Sequence, residues 1–97
     1  QDLILDPATH DVWRGDENLQ LARKEFAILE LLMRRQGEVV SQEVLLEHVW
    51  DSEANPFTNV VPVHISSLRT ALGDDARQPR YIRTIVGTGY QLLVGMP

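Results

Sequence analysis

The stretch from residue 59 to residue 73 leaves this chain the least freedom. Val61, Ile65, Leu68 and Leu72 fall at i, i+4, i+7 and i+11, which gathers them within about one quarter of a helix circumference. Pro62 would break a helix interior. With Asn59 as N-cap it falls instead in the first turn, where no intrahelical donor is lost. Gly73 closes the segment and Asp74-Asp75 follows it. The spacing therefore predicts a helix from about Asn59 to Leu72 with one apolar stripe, so the rest of the chain must supply a core to cover that stripe.

The neighbouring segments can do so. Leu3 and Leu5 flank Ile4, Asp6-Pro7-Ala8-Thr9 reads as a turn, Val12-Trp13-Arg14 is extended, Gly15-Asp16 turns again and Glu17 to Leu21 gives a third short run. Residues 3–21 are thus expected to form an antiparallel meander. From Arg23 to Arg35, Phe26, Leu29 and Met33 recur at helical spacing with Ile28, Leu31 and Leu32 beside them, and Gly37 is expected to supply a left-handed cap. Arg34 and Arg35 suit the negative end of the helix dipole. Val39-Val40 is a short extended link. Ser41 is a good N-cap for a second helix, about Gln42 to Trp50, with Val44, Leu45, His48 and Val49 inward or nearly so. Its capping box is incomplete, since Val44 stands where Glu or Gln would answer the serine. Asp51 to Thr58, with Asn55-Pro56, reads as loop. Tyr81 to Val86, the turn Gly87-Thr88-Gly89 and Tyr90 to Val94 form a hairpin. The expected class is α+β.

Composition narrows what such a fold can do. At 97 residues the chain is one domain, and with 43% hydrophobic residues and no cysteine it must close its core without a disulfide. No apolar run reaches the ~20 residues of a membrane helix, and the N-terminus has no basic-then-apolar signal pattern, so a soluble, cytoplasmic protein without membrane contact is expected. Because the chain opens on Gln1 rather than an initiator methionine, it reads as a piece of a longer protein. An enzyme is the class most nearly excluded. There is no cysteine nucleophile, no glycine-rich loop followed by lysine and no histidine-carboxylate spacing of a metal hydrolase. His10 and His48 have no companion at ligand spacing, so no catalytic residue, metal or cofactor is expected. The net charge of -5 is unevenly spread. Residues 1–58 carry 5 basic and 12 acidic side chains, or -7, and residues 59–97 carry 4 and 2, or +2. An anion would meet the second part, where Arg69, Arg77, Arg80 and Arg83 sit near His64.

Three helices with a trailing hairpin describe a winged helix-turn-helix. Lys24-Glu25-Phe26, Leu29-Glu30-Leu31-Leu32, Gly37-Glu38-Val39-Val40-Ser41, Leu45-Leu46-Glu47-His48-Val49-Trp50, Asn59-Val60-Val61 with Val63-His64-Ile65 and Leu68-Arg69, Pro79-Arg80-Tyr81-Ile82-Arg83-Thr84 and Gly87-Thr88-Gly89-Tyr90 agree in type and spacing with one family. From about residue 3 to residue 93 the chain resembles the effector domain of OmpR/PhoB-type bacterial transcriptional regulators. The resemblance implies that residues 1–97 are a winged-helix domain with an N-terminal meander, three helices and a C-terminal wing, the output domain of a two-component response regulator whose N-terminal receiver domain lies outside this chain. It implies sequence-specific binding to double-stranded DNA at tandem half-sites, with the third helix in the major groove and the wing, Thr84 to Tyr90, at the minor groove. It also implies that the loop of Asp51, Ser52, Glu53, Ala54, Asn55, Pro56, Phe57 and Thr58 meets RNA polymerase or a second protomer on DNA.

Helical geometry puts Asn59, Val60, Val63, Ser67 and Thr70 opposite the apolar stripe, with His64, Ser66 and Arg69 toward its edges. Asn pairs with adenine, Ser and Thr serve either strand, and valine can touch a thymine methyl. No arginine or lysine holds the centre of that face. In the family, positions 66, 67, 70 and 71 are often basic and the position of Val86 is often arginine, which points to weaker phosphate and guanine contact here; Pro62 stands where the family usually has an acidic residue. His64 is expected at DNA in preference to surface packing, and so is Arg69, whose alternative is an ion pair with an acid such as Asp74. Thr84, Thr88 and Tyr90 are the candidate wing contacts, Tyr90 being equally a core aromatic. Trp50 is foremost a plug at the end of the second helix and secondarily a phosphate contact, and Trp13 packs on the meander or forms an interface. The competing reading is a winged-helix module for protein contact with weak or lost DNA binding.

Overall fold

Leu3 and Leu5 turn one way and Ile4 and Asp6 the other, and the N-terminal sheet is built on that alternation. The computed structural model describes residues 3–50 and 59–93. Strands β1 (Leu3–Asp6), β2 (Asp11–Arg14) and β3 (Glu17–Leu19) pair antiparallel in the order β1-β2-β3. Leu3, Val12 and Leu19 face the core, while Ile4 lies opposite Trp13 on the outer face. The first turn is made by Asp6, whose carboxylate accepts the Ala8 N–H at 2.9 Å and whose carbonyl accepts that of His10 at 2.8 Å. His10 sits in the left-handed region (φ 61), and its ring stacks on Phe26 with centroids 4.5 Å apart.

Helix α1 (Arg23–Arg34) buries Phe26, Ile28, Leu29, Leu31 and Leu32. Ala22 has no side-chain acceptor, so only half a capping box forms, in which the Glu25 carboxylate accepts the Ala22 N–H at 2.9 Å. The helix ends one residue earlier than expected, because the Arg35 N–H still reaches the Leu31 carbonyl but Arg35 itself leaves helical geometry. Gly37 (φ 86) is not the cap. It turns the chain into the second sheet, its N–H donating to the Leu92 carbonyl at 3.2 Å.

The expected extended link is a paired strand. Strand β4 (Val39–Ser41) joins β5 (Ile82–Ile85) and β6 (Gly89–Leu92) in the order β4-β6-β5, with Val40 opposite Tyr90 and Ser41 opposite Gly89. The wing is therefore rooted in a three-stranded sheet. At Gly89 a Cβ would overlap the Val40 carbonyl oxygen, so only glycine allows the two backbones to meet there. Val94 lies outside the described residues.

Ser41 caps the second helix as expected, accepting the Val44 N–H at 3.1 Å. That helix is α-helical only over α2 (Gln42–Leu45) and continues as a π-helical turn (Leu46–Trp50). Leu45, Leu46 and Val49 are buried. His48, expected inward, is exposed, with Nδ1 3.0 Å from the Val44 carbonyl, because the wider turn rotates it off the core face.

Helix α3 (Val60–Leu72) buries Val61, Ile65, Leu68 and Leu72 against α1. Asn59 holds the N-cap position with its carbonyl alone, accepting the Val63 N–H at 3.1 Å, and makes no side-chain cap bond. At the other end Gly73 turns left-handed (φ 72), its N–H reaching Thr70 at 3.2 Å and that of Asp74 reaching Arg69 at 2.8 Å, a Schellman closure. The Arg14 guanidinium, from the N-terminal sheet, donates to the Leu72 carbonyl and pairs with Glu17 at 2.7 Å. A cation at the negative end of a helix is favourable. Among the described residues no helix is long and apolar enough to cross a membrane. The loop Asp51 to Thr58 lies outside the described residues.

Candidate nucleic-acid interface

With its apolar stripe committed to the core, α3 leaves Asn59, Val63, Ser66, Ser67 and Thr70 exposed. Val63 is 56% exposed, a large value for valine, with nothing of the described fold covering it. The Thr70 hydroxyl is turned back onto the Ser66 carbonyl at 3.1 Å. Val60, expected on this face, is half-buried and packs on the core, since it precedes Val61 and so lies on the flank of the stripe.

Arg69 does not pair with Asp74. Its Nη2 donates to the Ile82 carbonyl at 3.0 Å and to the Thr84 hydroxyl at 2.6 Å, tying α3 to the wing strand β5. The Asp74 carboxylate is already held by the backbone N–H groups of Arg80, Tyr81 and Ile82 at 2.7, 3.2 and 2.9 Å. Arg69 Nε is buried and makes no hydrogen bond. Tyr90, across from Thr84 on β6, is buried among the core residues, as one of its two readings held. Burial pushes its phenol above the ordinary value of 10.0, and the Arg69 cation opposes that rise.

Thr84, Thr88 and Tyr90 come together as the wall of one cleft of about 280 Å³, closed on the other side by Gln42 and Glu43 at the start of α2. The wing turns through Gly87 (φ 76), with the Thr88 N–H on the Ile85 carbonyl at 2.9 Å. Val86 at its tip is 91% exposed. Arg83 is exposed on β5, and Arg80 lies over the Tyr81 ring at 5.4 Å.

Trp50 and His64 form a separate group. The imidazole meets the indole edge on, with centroids 5.1 Å apart and planes at 81°, and both residues are half-buried. His64 Nδ1 lies 2.8 Å from the Val60 carbonyl. Trp50 is thus a plug between helices, its leading reading. Lys24 completes the group, with Nζ 2.9 Å from the Val49 carbonyl and 5.6 Å from the Trp50 ring centre. Sequence reasoning missed Lys24, Gln42 and Glu43, because periodicity ranks residues by face and says nothing about which neighbouring element they reach.

Residues 16–92 match the family model described as "Transcriptional regulatory protein, C terminal". The chain is 50% identical over 88 residues to the transcriptional regulatory protein CutR of Streptomyces coelicolor, a match covering 91% of this chain and 39% of that protein. It is similar to the crystal structure of the Klebsiella pneumoniae RstA DNA-binding domain in complex with RstA box, with a TM-score of 0.90 and 30% identity over 96% of this chain and 92% of that one. It is also similar to the response regulator DrrB, a Thermotoga maritima OmpR/PhoB homologue, with a TM-score of 0.85 and 38% identity over 97% of this chain and 42% of that one. The chain spans less than half the length of the curated relatives it matches, 39% of CutR and 36% of the Mycobacterium tuberculosis regulator TcrA. With the family match running through all three helices and the wing, the chain belongs to the C-terminal effector domains of OmpR/PhoB-type transcriptional regulatory proteins, and its fold is their winged helix.

Proposed function

We propose that this chain binds double-stranded DNA sequence-specifically and regulates transcription, as the output domain of a cytoplasmic two-component response regulator. The observation that carries the reading is the division of α3. Its apolar stripe is buried while Asn59, Val63, Ser66, Ser67 and Thr70 stand exposed beside a wing to which Arg69 ties the helix. A helix so placed fits the major groove, where these side chains meet base edges. Arg69, half-buried and bonded to the exposed Thr84, brings a cation beside the cleft that Thr84 and Tyr90 line, where a phosphate could sit, and Thr88 at the wing tip is suited to the minor groove. His64 and Trp50 back the helix and reach the duplex only at their exposed edges. The loop Asp51 to Thr58 is left for RNA polymerase or for a second protomer at a tandem half-site, and the part of the relatives that this chain does not span is where a receiver domain would lie. No catalytic step is part of this function.

A protein-contact module is favoured by one specific observation, the net charge of -5 with no lysine or arginine at the centre of the α3 face. Fluorescence anisotropy on random duplex DNA at low and moderate salt separates the two. A DNA reader binds and weakens as salt rises, because phosphate contacts release counterions. Absence of any salt-dependent binding rules the DNA reading out. Arg69→Ala is expected to weaken binding, and selection from a random duplex pool then yields the operator.

A further inference from the structure

Lys24 is the single lysine of the chain, and the apolar periodicity of α1 does not call for a cation there. Its ammonium donates to the carbonyl of Val49, next to last in the π-helical turn. Carbonyls at a helix end lack internal partners and carry the negative end of the dipole, so a cation satisfies both. The same ammonium lies over the Trp50 ring, Trp50 meets His64 edge on, and His64 bonds the Val60 carbonyl in the first turn of α3. These contacts run without a gap from α1, through the end of the second helix, to the start of α3.

We propose that Lys24 is a positioning residue. By capping the π-helical turn and holding Trp50 against His64, it sets the rotation at which α3 presents its outer face. The extra residue in each π-helical ring shifts the side chains beyond it by about 100° round the axis relative to an α-helix, so the direction of Trp50 depends on what holds that turn. Leu46 and Val49 pack that turn on the core, and the Lys24 cation of α1 adds a polar contact directed at its last two residues. Val63 and Ser67 lie one position before and three after His64 on the same helix. Rotation at His64 moves both side chains together.

That α3 reads DNA rests on the proposed function, but the coupling itself does not, and the experiment keeps them apart. Lys24→Met keeps the aliphatic stem and removes the cation, while Lys24→Arg restores it. In the free protein, the His64 ring protons and the backbone amides from Val63 to Ser67 shift in Lys24→Met and return in Lys24→Arg, as read by NMR. On DNA, the preference of Lys24→Met for a selected duplex over a random one falls by roughly two- to thirtyfold, the range for residues that tune coupling without touching ligand. A merely structural loss would lower both affinities alike. Lys24→Gln, which keeps a donor and drops the charge, provides the same readout where Lys24→Met is unfolded. Unmoved His64 and α3 resonances overturn the proposal. If the wild-type protein does not discriminate between duplexes, the DNA reading fails, and the role of Lys24 is decided by the resonances alone.

Discussion

Arg69 and Tyr90 meet where α3 joins the wing, and their chemistry is coupled. The guanidinium leans on the Ile82 carbonyl and the Thr84 hydroxyl, and its charge favours the ionised phenol that burial disfavours. Burial is the larger effect, so the folded state holds the Tyr90 proton more tightly than the unfolded chain does. The sign comes from linkage. The stabilisation is fully present below the ordinary value of 10.0 and is lost as pH rises through the higher folded value. Urea midpoints followed upward from about pH 9 should fall more steeply in the wild type than in Tyr90→Phe, and indistinguishable slopes would count against a buried phenol. The partners of Arg69 were not legible in the sequence. Asp74 was the acid nearest along the chain, but it is engaged by three backbone N–H groups of the turn it organises, and that turn is what delivers Ile82 and Thr84 to Arg69.

At the scale of elements, Asp74 is the clasp between α3 and β5. Asp74→Ala takes this carboxylate from the N–H groups of Arg80, Tyr81 and Ile82, at a cost of roughly 1–3 kcal/mol, and Asp74→Asn, which keeps one carbonyl acceptor, should fall between. Chemical denaturation of the three proteins checks the order. The periodic elements were the readable part of the sequence. The meander alternates, α1 and α3 repeat at helical spacing, and Gly73 and Ser41 cap where expected. The features that escaped have no period of their own. Strand β4 is three residues long and exists because β6 pairs with it. Leu45 at the end of α2 and Val49 in the π-helical turn are inside as in an α-helix, so the pattern alone could not tell one from the other, while Leu46 is buried as well and His48 moved to the surface. Gly37 looked like a helix cap because a left-handed glycine serves equally to cap a helix or to turn a chain between sheets.

Across the whole molecule, charge and shape divide the chain in the same way. Of the charged side chains between residues 3 and 21, Arg14 is the one cation, and it is used inside the fold on Glu17 and on the end of α3. The exposed cations Arg77, Arg80 and Arg83 instead gather on the segment that leads into the wing. A duplex lying on α3 would therefore find its cations at the side and uncharged groups at the centre, Ser66 and Ser67 among them. Few phosphates are then neutralised, and the salt dependence should be shallow for a protein of this fold. Ser66→Arg combined with Ser67→Arg tests the placement directly. If α3 lies in the groove, each new cation that reaches a phosphate steepens the plot of log affinity against log salt by about 0.9, or roughly 1.8 for the pair. The random duplex should gain more than the selected one, since the new phosphate contacts carry no sequence information while the base contacts proposed for Ser66 and Ser67 are lost. Anisotropy titrations at several salt concentrations measure both quantities. An unchanged slope would mean that the exposed face of α3 never comes within reach of the backbone, and the site would have to be sought on another surface.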